Sequence, residues 1–235
     1  MTLSPVEESE FGVSGCLDTK QRLLDAAVKI FSEKGFHATS MRAITQEAQT
    51  SLSAANYHFG TKEELLRLAL QQRVKLFNDR RLTLLQKSKK EAGEATLSIE
   101  QVFEAYLQPF FERRTEWVFQ GVSPAGLAIR LYLDMPEFVA RVRKEAFTVI
   151  NHRFVTELEE ALPGFSSCVL EEALQLGTGV AIHAAIDVFE MNLNASDEKK
   201  RAGSRLENTV RFVAAGVCAV NGGPFIGPSD LGENS

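Results

Sequence analysis

Two serines stand where a chain could grip an anion. Ser40, beside Thr39, precedes Met41, Ile44 and Ala48, and Ser51 precedes a run to about His58. A serine directly ahead of an apolar-periodic run is the signature of a helix N-cap. A helix start offers unpaired N–H groups and the positive end of the helix dipole. Hydroxyls there, with the Arg42 guanidinium nearby, form a set of phosphate donors. The second run carries Leu52, Ser53, Ala54 and Asn56. Asn56 can bond adenine at N6 and N7, Ser53 can bond several bases, and Leu52 or Ala54 can touch a thymine methyl. This set is poor in charge, so reading of duplex shape would share in recognition. Tyr57, His58 and Lys62 follow closely. Alone, His58 is an ordinary half-exposed histidine, and Tyr57 can pack its ring while its hydroxyl reaches outward. Lys62 opposes the dipole at a helix start, which is easier to explain if a phosphate compensates it.

These residues need helices to position them, and the surrounding pattern is helical almost throughout. Leu24, Ala27, Val28 and Phe31 recur at i, i+3, i+4 and i+7, the stripe of an amphipathic helix. That helix is predicted to begin near Asp18, where Asp18 and Gln21 have capping-box spacing, and to stop at Gly35. Short helices follow from Thr39 or Ser40 and from Ser51. Thr61, Lys62, Glu63 and Glu64 open a long fourth helix that ends before Gly93. Five more helices are predicted at about 98–114, 122–133, 136–162, 168–190 and 202–220. Residues 1–17 and 221–235 are polar or rich in Gly and Pro and are predicted to be a disordered arm and tail. No run alternates with β-branched enrichment. The fold class is therefore all-α: a small N-terminal helical domain over 18–66 and a larger helical domain over 67–220.

A short helix, a tight turn and a second short helix is the helix-turn-helix arrangement, whose second helix enters the major groove. The stretch from Leu23 to Leu66, LLDAAVKIFSEKGFHATSMRAITQEAQTSLSAANYHFGTKEELL, resembles the TetR family DNA-binding domain almost position by position. The resemblance implies a homodimeric transcriptional regulator, usually a repressor, on a near-palindromic DNA operator, released by a small effector. It also implies that Tyr57, His58 and Lys62 clamp the DNA backbone. The chain departs from the family pattern at Gln49, where glycine is common. A left-handed Gln49 would cost about 1 kcal/mol relative to glycine. It departs again at Leu52, where lysine is frequent.

The larger domain is rich in phenylalanine and small residues. Each single Phe is first a core residue, but a mostly apolar pocket between helices is the functional alternative. Phe110, Trp117, Phe147 and Phe154 are the aromatic candidates. Asn151 lies on the same predicted helix as Phe147 and Phe154. Arg130 in GLAIRLYL requires an anionic partner if buried, either a carboxylate of the protein or an effector. His183 in GVAIHAAID is a core or interface histidine, or a ligand contact. The stretch from Ala128 to Ala185 is also similar to regulatory domains of a TetR branch responsive to fatty acids or acyl-CoA. That similarity implies a hydrophobic or amphipathic effector, although Glu172, Ala173, Leu174 and Gln175 depart from the branch pattern. Small residues, among them Gly177, Gly179, Ala184, Ala215 and Gly216, permit close helix approach and a two-fold four-helix interface.

Other function classes find little support. No nucleophile–base motif, Gly-rich phosphate loop or metal-ligand spacing occurs, so neither an enzyme nor a cofactor is expected. An activator of the same fold, or a helical interaction module without DNA binding, are the alternatives. Three well-separated cysteines, no stretch of about twenty apolar residues and no basic, apolar leader predict a cytoplasmic protein without membrane insertion. The net charge of −5 would by itself disfavour a DNA partner. It averages a basic region over 18–90, net +7, and an acidic region over 91–235, net −9. The acidic part would repel DNA and help orient the reading head. Residues 18–70 alone carry only +1.

Overall fold

The computed structural model describes residues 10–112, 124–133, 136–190 and 195–220. Every regular element among them is helical: α1 (Glu10–Ala38), α2 (Met41–Glu47), α3 (Leu52–Phe59), α4 (Lys62–Ala92), α5 (Ile99–Leu107), α6 (Pro124–Leu133), α7 (Glu137–Ala161), α8 (Ser167–Glu190) and α9 (Ala195–Val220). A single 3-10 turn, Gln108–Phe111, follows α5. Pro109 cannot donate to the helix ladder, which explains why α5 ends short of the predicted 114. α1 begins at Glu10 rather than near Asp18, inside the segment expected to lack structure. α9 begins at Ala195, seven residues before the predicted start. The expected tail 221–235 and residues 1–9 of the expected arm lie outside the described residues. No helix of the described residues is long and apolar enough to cross a membrane.

Local chemistry sets the boundaries. The α1 ladder breaks at Gly35, whose φ of 75° suits glycine alone. Ser40 and Ser51 are N-caps, each accepting from the N–H three residues on. Ser98 and Gln101 form a full capping box at the start of α5.

The chain forms two compact units. The first comprises residues 1–76 and 113–146, and the second residues 77–112 and 147–235. The first unit therefore includes α6 and the start of α7 as well as α1–α3. Its core joins Leu23, Ala27, Phe31, Ile44, Phe59 and Leu66 to Leu127, Leu131 and Val139. The Arg73–Asp25 ion pair, nearly buried, links α4 to α1, and Gln21 donates to the same Asp25 carboxylate at 2.8 Å. In the second unit Phe103, Leu158, Leu170, Leu174, Val213 and Val217 are buried. α8 and α9 approach closely at Gly177, where a Cβ would stand 3.1 Å from Val213 Cγ1. Two of the three points at which the chain passes between the units fall inside continuous helices, one in α4 and one in α7.

Candidate functional site

The first unit presents one polar surface built from α2, α3 and the turns around them. Ser40, Arg42, Ser51, Ser53 and Asn56 are exposed, and Ala54 and His58 are half-buried. Leu52 is exposed, and Tyr57 is 85% exposed, large for an aromatic residue. The Tyr57 ring stands edge-on to His58 at 5.2 Å between centroids. The Ser40 and Ser51 oxygens accept from Ala43 N and Ala54 N at 3.2 and 3.0 Å. Each hydroxyl keeps its own proton for an outside acceptor. These nine residues together offer donors, one amide, one phenol and little apolar bulk.

Two residues from the sequence set have other partners. Thr39 is buried and its hydroxyl donates to Gly35 O at 2.7 Å. The Lys62 ammonium donates to Phe36 O at 3.0 Å and Thr39 O at 2.9 Å, and lies 3.9 Å from the Phe36 ring centroid. Arg22, which the sequence reading did not single out, supports the face from behind. It donates to the carbonyls of Ala48 and Gln49 at the end of α2. Gln49 itself has φ 50° and is the positive-φ non-glycine among the described residues, as the departure from glycine anticipated.

The second unit gathers four of the predicted effector residues around a fully buried arginine. Arg81 of α4 stacks over Tyr106 at 3.7 Å and faces Phe77, Phe110 and Phe147 at 4.6, 5.4 and 5.7 Å. Its Nε donates to Tyr106 O at 2.8 Å. The Tyr106 hydroxyl donates to Asn151 Oδ1 at 2.7 Å, and its ring meets Phe154 edge-on at 4.9 Å. Burying a guanidinium is costly, and aromatic faces offset part of that cost. Arg81, Tyr106 and Phe77 were missed by the sequence reading. The sequence offers an apolar i, i+4 row, Phe77–Arg81–Leu85, but Arg80 lies on an equivalent row between Leu76 and Leu84.

The remaining candidates lie elsewhere. Arg130 of α6 sits in the first unit, where Nε donates to Ser32 O at 3.1 Å and Nη2 to Glu33 O at 3.0 Å. His183 is exposed on α8. Trp117 lies outside the described residues. No group of three metal-ligating side chains occurs among the described residues. On the outside of the second unit, Leu176, Phe212 and Val220 are 62, 68 and 66% exposed. They rim a groove of about 190 Å³ between α8 and α9, lined also by Val180, Val213 and Gly216.

Comparison with known proteins now bears on these surfaces. The family model for bacterial regulatory proteins, tetR family, matches residues 23–69, and the model for the tetracyclin repressor-like C-terminal domain matches residues 104–216. The HTH-type transcriptional regulator UidR of Escherichia coli is 43% identical over 54 residues, which cover 23% of this chain and 28% of that protein. The HTH-type nicotine-responsive transcriptional repressor HdnoR of Paenarthrobacter nicotinovorans is 38% identical over 63 residues, covering 25% and 32%. The chain thus spans less than a third of the length of these curated relatives. The crystal structure of a transcriptional regulator from Rhodococcus sp. Rha1 shares the fold, with a TM-score of 0.58, 20% identity and coverage of 84% of this chain and 96% of that one.

Proposed function

The chain belongs to the TetR family of bacterial regulatory proteins, and from that premise we propose that it is an effector-responsive, homodimeric transcriptional repressor. Ser40, Arg42, Ser51 and Tyr57 hold phosphates of a duplex. Leu52, Ser53, Ala54 and Asn56 of α3 meet base edges, and His58 closes the backbone clamp. The similar regulators support a regulatory role, and one of them is a nicotine-responsive transcriptional repressor.

One observation carries the effector half of this reading. The two helices that run unbroken from one unit into the other both contribute to the aromatic cluster. α4 gives Phe77 and Arg81, and α7 gives Phe147, Asn151 and Phe154. A hydrophobic or amphipathic molecule entering the cluster must displace residues on both helices. α4 starts at Lys62, three residues after α3 ends, so its displacement reaches the reading helix through the chain itself. Binding energy spent on that displacement is lost to DNA affinity, and by linkage the operator weakens the effector equally.

The exposed groove between α8 and α9 is the surface on which a second copy sits. Leu176, Phe212 and Val220 are too large and too contiguous to remain in water without cost. Two copies related by a two-fold axis bring these side chains together and give a four-helix interface.

Selection of duplexes from a random library with the full chain tests the reading. A near-palindromic sequence should emerge, and its complex should dissociate on adding a fatty acid, an acyl-CoA or an aromatic acid. Sedimentation should give a dimer at micromolar concentration, and Phe212→Glu should give a monomer. Recovery of no preferred sequence would refute the DNA-binding role, and equal effector affinity with and without the duplex would refute the coupling.

A further inference from the structure

The C-terminal end of α1 and the turn that follows it are gripped at four backbone carbonyls by cations from two other helices. Arg130 of α6 takes Ser32 O and Glu33 O at 3.1 and 3.0 Å. Lys62, the first residue of α4, takes Phe36 O and Thr39 O at 3.0 and 2.9 Å. The last carbonyls of a helix have no partner within it and carry the negative end of its dipole. Cations are therefore the groups they hold best. Gly35 turns the chain between the two grips, with φ 75°, and its carbonyl takes the Thr39 hydroxyl at 2.7 Å. The Phe36 ring fixes the same turn from the side, between the Lys62 ammonium at 3.9 Å and the Phe138 ring at 5.2 Å. Ser40 follows the last gripped carbonyl directly and caps α2, which carries Arg42. No slack chain separates the grips from these two exposed residues.

We propose that Arg130 and Lys62 are positioning residues for DNA binding: from α6 and α4 they hold the end of α1 and its following turn, and so set how Ser40 and Arg42 meet the duplex. The proposal rests on the DNA-binding reading above. It gives Arg130 a role apart from the effector cluster. It gives Lys62 a role that does not consume a phosphate. A shift of α4 or α6 then reaches α2 through these bonds, in addition to the route through α3.

Salt dependence separates positioning from phosphate contact. A lysine that neutralises a phosphate contributes about 0.9 to the log–log salt slope, whereas a lysine bonded to carbonyls contributes nothing. The test uses the full chain, a duplex selected with the wild type, and Lys62→Met and Arg130→Met. Each variant should bind about tenfold more weakly or worse, since it loses two charge-assisted bonds, at an unchanged salt slope. Backbone amides of residues 36–45 should exchange faster with deuterium, while those of α8 and α9 keep wild-type rates. Lys62→Arg, which retains charge and donors, should restore most of the affinity. Normal exchange with a slope shallower by about one per subunit would overturn the proposal for that residue, because it would mark a phosphate contact. Wild-type affinity and exchange would overturn it as well. Should a methionine variant unfold, Arg130→Lys carries the same comparison: intermediate affinity at unchanged slope supports the grip, and wild-type affinity opposes it. If the wild type selects no duplex, the DNA-binding reading fails, and the exchange measurement still decides whether the grips hold the turn.

Discussion

The Arg22 guanidinium donates to Gln49 O at 2.6 Å and thereby ties α1 to the residue that bends the chain from α2 toward α3. Gln49 has a φ of 50°, a conformation in which a side chain crowds its own carbonyl. The Arg22 bonds to Gln49 and Ala48 hold it there. Gln49→Gly relieves that crowding and loses some of the gain to the freer unfolded chain. We expect a net rise in stability of about 0.5–1 kcal/mol, read as a higher urea midpoint at unchanged slope. A lower midpoint would show that the glutamine side chain contributes more than its backbone strain costs.

Arg73 and Asp25 form the nearly buried ion pair between α4 and α1. Burial pulls the Arg73 pKa down and the Asp25 carboxylate only partly offsets it, yet a guanidinium stays charged at any physiological pH. Removing one partner strands the other charge. Asp25→Leu or Arg73→Met should each cost about 3–5 kcal/mol, and the double variant should cost less than the sum by at least about 1 kcal/mol. Additive losses in denaturant titrations would mean that the two groups do not act as a pair.

Within the second unit the Tyr106 hydroxyl meets Asn151 Oδ1 at 2.7 Å, and both side chains are buried. Tyr106→Phe leaves the Asn151 oxygen without that donor in an apolar setting, and should destabilise by about 1–3 kcal/mol. Tyr106→Phe combined with Asn151→Leu removes both partners and should recover part of the loss. Failure of the second substitution to recover anything would place the cost in lost packing rather than in an unsatisfied oxygen.

Glu64 accepts from Arg67 Nε at 2.8 Å and Nη2 at 2.5 Å, and this bonding holds its carboxyl below the usual carboxylate range. A depressed folded pKa stabilises the fold fully above the unfolded value, about 4.3, and the contribution is lost as pH falls through the lower folded value. Both side chains are partly exposed, so the effect is small. Glu64→Gln should flatten the decline of the urea midpoint on acidification below about pH 5. An unchanged decline would show that the pair adds nothing to acid sensitivity.

The fold was legible because helix signals are local. Gly35 ended the first ladder and Ser40 and Ser51 began the helices they cap, whereas Pro109 stopped α5 short of the expected 114. The exposed set on α2 and α3 followed from the same local spacing. Partner choice is not local. By their charge Lys62 was read as a phosphate contact and Arg130 as the partner of a carboxylate or an effector, and they bond carbonyls at 23–26 and 97–98 residues' distance in sequence. Backbone carbonyls are present at every residue, so no residue type marks which ones lack a helical partner. Arg81 stands beside Arg80, and both lie on apolar i, i+4 rows of α4, Phe77–Arg81–Leu85 and Leu76–Arg80–Leu84, so spacing does not separate them. Arg80 instead pairs with Glu112 at 2.7 Å, which raises its pKa.

Charge accounting of the reading head leads to a prediction about its DNA complex. Residues 18–70 hold seven basic and six acidic side chains. Lys29 pairs with Glu47 at 2.5 Å and Arg67 with Glu64, while Arg22 and Lys62 donate to carbonyls. Arg42 is the exposed cation that lies on the candidate face itself. Neutral donors from Ser40, Ser51, Asn56 and Tyr57 must then hold much of the duplex backbone, and such bonds release no counterions. The log–log salt slope of a two-fold complex should be no steeper than about −4, and Arg42→Ala should make it shallower by about two, one per subunit. A slope near −8 would show that cations outside this face reach the phosphates. In that case the basic stretch of α4 from Arg73 to Lys90 would be the first place to look, because six of the seven excess charges of residues 18–90 lie there.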